Sequence, residues 1–303
     1  MHFGPFYRVE SWMFEIVNFL LIVLVYWSGT KTLGREKTSI FLWGSLIWTL
    51  VLENLFVMTG SYDYLAYANY YCWGGKLIAG YSGWSVMVFF VPLIVGLGWF
   101  IVALPAFIIS DRLLPNAGIW TKATMAAIMM ISLDMMLDPL SVVNEWWRWT
   151  TSAFYLRGVA ITNYIGWFTM LFFYAGIYER TVIEKGSFAW IRRFESFIFR
   201  RDTKDLTNAD MRTIGKIFYF RTTAYIPVYI VVTALLCVPV QLFLNNRYAP
   251  FNNVFPAKFD QQYPASAKPA GAPLTAFPDD DVRKVKGPRC EFKTDQPLKL
   301  VEE

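Results

Sequence analysis

The chain is poor in the residues that build most enzyme centres. It has one histidine, His2, and three cysteines, Cys72, Cys237 and Cys290, in 303 residues. No two cysteines form a C-x-x-C pair. A Cys/His metal site or a haem attachment motif therefore lacks its ligands, and no metal is expected. A Ser-His-Asp triad lacks its base. Charge is scarce too: 17% of residues are Asp, Glu, Lys or Arg, against roughly 25% in soluble domains. The net charge of +5 lies between apolar runs, where it reports topology, so no nucleic-acid partner is expected. Neither a basic n-region nor an A-x-A site precedes the first apolar run, which reads as a retained helix.

What is abundant is apolar and aromatic: 55% of the chain is hydrophobic and 18% is Phe, Trp or Tyr. Apolar runs of about 20 residues at 1.5 Å rise match the ~30 Å hydrocarbon core of a bilayer. Six spans are expected, near 12–29, 39–59, 84–109, 120–137, 159–178 and 222–244. Pro92 and Pro105 fall inside the third and Pro227 and Pro239 inside the sixth, where they would kink the helices. The predicted fold is all-α: a polytopic membrane helix bundle over 1–245. It carries an interfacial amphipathic helix and an extended, Pro-rich C-terminal tail over 246–303.

Basic residues orient the bundle. The first loop holds Lys31, Arg35 and Lys37, and the connection 179–221 holds ten Lys and Arg, including Arg192, Arg193, Arg200 and Arg201. Six spans place both clusters on one side, which predicts a cytoplasmic face there and periplasmic termini in a bacterial inner membrane. Within 179–221, Phe188, Ile191, Phe194 and Ile198 recur every three or four residues, with Arg192, Arg193 and Glu195 interleaved. That pattern predicts an amphipathic helix on the inner surface, an anchored loop helix or a docking surface. The tail holds 8 of the 15 prolines and has no periodic apolar face, so ordering it would take a partner.

Polar residues inside the spans carry the chemistry. Glu53 lies in the second span and Asp134 and Asp138 near the end of the fourth. Ionisable groups at membrane depth cost ~2.5–3.5 kcal/mol on insertion scales and face the bundle interior. Asp134 and Asp138 are four apart and share a helix face. Asn163 opens the fifth span. The alternating directions of the spans bring all four to similar depth near the outer interface, beside the aromatic loop EWWRW with Trp147 and Trp149. A carboxylic acid kept protonated by poorly hydrated walls is a proton donor near neutral pH. The plainer alternatives are a helix end at Asp138-Pro139 and an interfacial aromatic belt at the tryptophans.

The stretch LDMMLDPLSVVNEWWRW…YLRGVAITNYIGWF resembles the membrane carotenoid-biosynthesis proteins that include the carotenoid 1,2-hydratases. The shared pattern is D-x3-D-P, then W-x-W, then G-[IV]-P-x-x-N-x-x-G-W. It falls here on Asp134, Asp138, Pro139, Trp147, Trp149, Gly158, Asn163, Gly166 and Trp167. Upstream, E-x5-TG falls on Glu53, Thr59 and Gly60, and FFVPLIVGLGWF around Pro92 and Trp99 is also similar. The resemblance covers about 40–180. The family proline is Ala160 here, and the loop SYDYLAYANYYCWGG is longer and more aromatic than the pattern.

The resemblance implies addition of water across the terminal double bond of a linear carotenoid, with no cofactor. Asp134 or Glu53 would be the acid and Asp138 the water-side partner. Asn163, Trp147, Trp149, Trp167 and Trp99 would bind substrate, tryptophan faces stabilising the cation. The alternative is a non-catalytic subunit derived from such an enzyme. It would keep a bound carotenoid pigment in a photosynthetic membrane complex and dock on partner subunits through the tail.

Overall fold

The structure is a computed structural model. It describes residues 11–59, 61–64, 70–73, 76–79, 86–143, 147–149, 155–156, 159–200, 202–248, 289–291 and 299–301. The proposed docking tail lies outside the described residues apart from the end of one helix and two short strands.

The chain starts with two apolar helices, α1 (Ser11–Leu33) and α2 (Arg35–Met58). Gly34 joins them at φ 89°, a left-handed conformation that side chains disfavour. Short strands follow: β1 (Tyr62–Tyr64), β2 (Tyr70–Trp73), β3 (Lys76–Ala79), then the hairpin β4 (Met87–Val88) and β5 (Val91–Pro92). Next come α3 (Leu93–Leu113), α4 (Ile119–Val143), β6 (Trp147–Trp149), the hairpin β7 (Tyr155–Leu156) and β8 (Val159–Ala160), and α5 (Ile161–Tyr178). A π-helical turn, Glu179–Ile183, leads to α6 (Arg192–Phe199) and the long α7 (Met211–Tyr248). Strands β9 (Arg289–Glu291) and β10 (Lys299–Val301) join β3 and β2 in a four-stranded sheet.

Five helices, α1, α2, α3, α4 and α7, are long and apolar enough to cross a membrane. The sixth, α5, is rich in Tyr and Trp, which lowers its hydropathy, and most of its side chains are buried. The predicted all-α membrane bundle with about six spans holds. Its centre is aromatic: Phe41, Trp48, Phe100, Tyr174, Tyr178 and Phe218 are almost wholly buried. Tyr174 and Tyr178 donate to the carbonyls of Phe41 and Lys37 at 2.7 and 2.9 Å, pinning α5 to α2. Gly176 admits the Trp120 ring so closely that a Cβ would lie 2.3 Å from it. The outward faces of α1 and of α7 carry exposed Ile, Leu, Val and Phe, as lipid contact requires.

Three expectations are corrected. The third helix begins at Leu93, not 84, so Pro92 is its N-cap rather than an internal kink; a residue without an N–H is well placed there. The sixth span is the core of a longer helix, 211–248. The amphipathic helix is shorter, Arg192–Phe199, and Glu195 does not belong to its polar face. Glu195 is fully buried because Arg221 of α7 reaches it. Phe194, Phe197 and Ile198 remain exposed.

Candidate functional site

α2 presents Leu52 and Glu53 inward while Trp43, Ile47 and Val51 face out. α4 does the same with Asp134 and Asp138, opposite exposed Leu133, Met136 and Leu137. All three acids are buried: Glu53 is 5% exposed, Asp134 0% and Asp138 3%. α5 starts at Ile161, so Asn163 sits in its first turn, at the same end of the bundle.

The Asn163 amide bridges the aspartates. Its Nδ2 donates to Asp134 Oδ2 at 3.1 Å and also to Asp138 Oδ2. The two aspartyl groups therefore meet at one amide nitrogen. Asp134 Oδ1 is buried and has no protein hydrogen-bond partner.

Glu53 is held by phenols. The hydroxyls of Tyr62 and Tyr64 both donate to Glu53 Oε2, Tyr64 at 3.0 Å. Alternate residues of a strand share a face, so β1 aims both rings at α2; they meet edge to face at 5.6 Å. β1 is fixed by antiparallel pairing with β6, Tyr62 opposite Trp149 and Tyr64 opposite Trp147. Burial, and then the neighbouring Glu53, push the Tyr64 phenol well above its ordinary value, and the Asp138 charge adds to this. Around them packs a second apolar cluster with Tyr62, Tyr64, Val91, Val159, Ala160 and Tyr164 buried. Next to Glu53, Asn54 accepts from the Phe90 N–H at 2.9 Å and secures the β4–β5 turn.

Among the described residues no Lys or Arg pairs with Glu53, Asp134 or Asp138. Nor do three or more His, Cys, Asp or Glu side chains there group as a metal site. The arrangement can hold and pass a proton between buried neutral donors.

The structure joins Asp134, Asp138 and Asn163 directly and sets Glu53, through β1 and its pairing with β6, at the same end of the bundle. Trp147 and Trp149 lie in β6, and their side chains lie outside the described residues. Trp99 and Trp167 pack on each other with ring centroids 5.2 Å apart, Trp167 one helical turn deeper than Asn163. Tyr62 and Tyr64 were missed; their signal is a Y-x-Y alternation directly after the E-x5-TG motif. Ala160 keeps φ −61° and ψ 133°, the backbone a proline would impose.

A family model described as "carotenoid biosynthesis protein" matches residues 11–238. No curated protein and no solved structure matches the chain.

Proposed function

The chain belongs to the carotenoid biosynthesis protein family, and from that premise we propose that it is a hydratase-like membrane enzyme. It adds water to the terminal double bond of a linear carotenoid. The observation that carries this reading is three buried carboxyl groups at one end of the bundle, held by phenols and an amide and, among the described residues, without a paired cation. Isolated acids of this kind cost stability and gain nothing structural that a neutral side chain would not supply. They are suited to acid–base chemistry on an apolar substrate.

One carboxyl protonates the terminal alkene to give a tertiary cation; a second directs the water that captures it. Trp99, Trp167, Trp147 and Trp149 are the proposed aromatic contacts for the cation and the polyene, with Asn163 holding the aspartates. The reaction needs neither metal nor redox cofactor. Both termini are proposed to be periplasmic in a bacterial inner membrane, with the polyene entering from the lipid. The competing subunit reading drew on Ala160, the aromatic outer loop and the tail; Ala160 has a φ of −61°, which proline also adopts, and the loop and tail lie largely outside the described residues.

The test is expression of the chain with a linear carotene, followed by pigment chromatography. Wild type is expected to form a hydroxycarotenoid, and Asp134→Asn and Glu53→Gln to form none. Full activity in both variants, or stoichiometric co-purification of an inactive wild type with a larger pigment complex, would sink the proposal.

A further inference from the structure

The ten residues that lead into α3, VPLIVGLGWF from Val91 to Phe100, have a counterpart 68 positions later in VAITNYIGWF, Val159 to Phe168. Val, Gly, Trp and Phe recur at matching places. The structure repeats with them. β4–β5 pairs Met87 with Pro92 and Val88 with Val91. β7–β8 pairs Tyr155 with Ala160 and Leu156 with Val159, the same register shifted by 68. The N-caps agree, φ −60° and ψ 132° at Pro92 against φ −61° and ψ 133° at Ala160.

The preceding elements also repeat, shifted by 85. α2 ends at Met58 and α4 at Val143; β1 spans 62–64 and β6 147–149. Burial follows the same shift. Trp43, Ile47 and Val51 are exposed, as are Ile128, Ser132 and Met136; Ser45, Thr49 and Glu53 are buried, as are Met130, Asp134 and Asp138. The change of offset from 85 to 68 gives the first unit a loop 17 residues longer.

Two contacts locate an axis between the units. In the β1–β6 pair Asp63 stands opposite Arg148, its own counterpart under the shift of 85. An antiparallel pair in which counterparts face each other has a two-fold axis between them. Trp99 and Trp167, counterparts under the shift of 68, bring their rings to 5.2 Å. α2 and α4 are separated by one intervening span and run the same way, so the axis follows the bundle. Glu53 and Asp138 are counterparts on either side of it.

The halves are unequal. Where the second has Asp134, the first has Thr49; where the second has Asn163, the first has Val95. We propose that the chain is an internal duplication whose halves divide one reaction: the Asp134–Asp138–Asn163 half supplies the proton, and Glu53 receives the proton of the attacking water. This rests on the hydratase reading. Two carboxyls on one amide share a proton, as a donor must. Glu53 has Thr49 four positions before it in place of a second carboxyl, and its Oε2 already accepts two phenol hydroxyls, the setting of a proton acceptor. In the step, the O–H bond of the aspartyl pair breaks and the alkene π pair forms the new C–H bond. The water oxygen then bonds to the cationic carbon, and its proton passes to Glu53. Return of that proton to the aspartates resets the site. The division reverses the role that sequence resemblance gives Asp138.

The test is made in D2O with membranes containing the full chain and a linear carotene. Wild type is expected to give a hydroxycarotenoid with one deuterium on the carbon next to the carbinol. Glu53→Gln is expected to lower hydration at least ~100-fold while deuterium still enters the recovered alkene, because protonation remains reversible. Asp134→Asn and Asp138→Asn are expected to stop both. If Glu53→Gln does not elute from detergent as wild type does, the Tyr62→Phe/Tyr64→Phe double variant, with exchange kept and hydration lowered, serves in its place. A wild type that hydrates, paired with a folded Glu53 variant that cannot exchange, overturns the division alone. A wild type that neither hydrates nor exchanges overturns the hydratase reading and the division together.

Discussion

The two ends of the bundle treat buried acids in opposite ways. At the end that carries α6, Glu195 is fully buried against Arg221, with Arg221 Nε 2.6 Å from Glu195 Oε1 and Arg221 Nη2 2.8 Å from Oε2. Thr203 and Ser187 also donate to Glu195, and Arg221 Nη1 is satisfied by Thr181 and the Gly186 carbonyl. Nearby, Lys122 bridges Asp111 at 2.5 Å and Glu179 at 3.2 Å. Each buried acid has a cation. At the end that carries the β1–β6 ribbon, Glu53, Asp134 and Asp138 are also buried, and their partners among the described residues are phenols and an amide. The first arrangement holds α6, α7 and the π-helical turn together. The second has no such clasp among the described residues.

The largest break of this contrast is Arg221→Met. It leaves Glu195 buried without its cation and is expected to cost about 3–5 kcal/mol, read as a fall in the temperature of aggregation in detergent. Adding Glu195→Leu should recover much of that loss, since a buried pair replaced whole is near neutral. Asn163→Leu removes the amide shared by two acids and should cost about 1–3 kcal/mol in the same assay. Asp138→Asn sharpens the comparison from the other side. Its stability should hold or rise while hydroxycarotenoid formation disappears, the pattern of a residue kept for function at the expense of stability. Ala160→Pro should stabilise by about 0.4–1 kcal/mol, because the native backbone already fits proline and its counterpart Pro92 occupies the same hairpin position. The smallest effect is expected for Asp111→Asn: Asp111 is 43% exposed, Lys122 keeps Glu179, and the loss should stay within about 1 kcal/mol.

Much of this was legible in the sequence where long-range periodicity speaks. Apolar runs and basic loops gave the helices, and the i, i+4 spacing put Asp134 and Asp138 on one face. Glu53 and Asn163 were matched to them by depth, which the alternation of span directions supplies, and by the motifs of the family resemblance. Tyr62 and Tyr64 left only a Y-x-Y alternation, too short in a three-residue strand to stand out, and the partner β6 lies 85 positions away. Glu195 was misread for a related reason. On its own helix it sits among arginines at the surface, and only α7, across a loop, shows that it points inward. The duplication hid behind a loop of unequal length, which shifts the register midway and defeats a search at one fixed period.

α7 also serves as a ruler of depth. Its 38 residues amount to about 57 Å at 1.5 Å per residue, against a hydrocarbon layer of about 30 Å. Only part of it can lie in lipid, and the exposed Val228, Ile230, Val231, Leu235, Leu236, Val238, Leu242 and Phe243 mark that part. The turns from Met211 to Arg221, some 15 Å of helix at that rise, then precede the lipid-facing stretch. The Glu195–Arg221 clasp is accordingly a fastening at the water-side margin of the membrane.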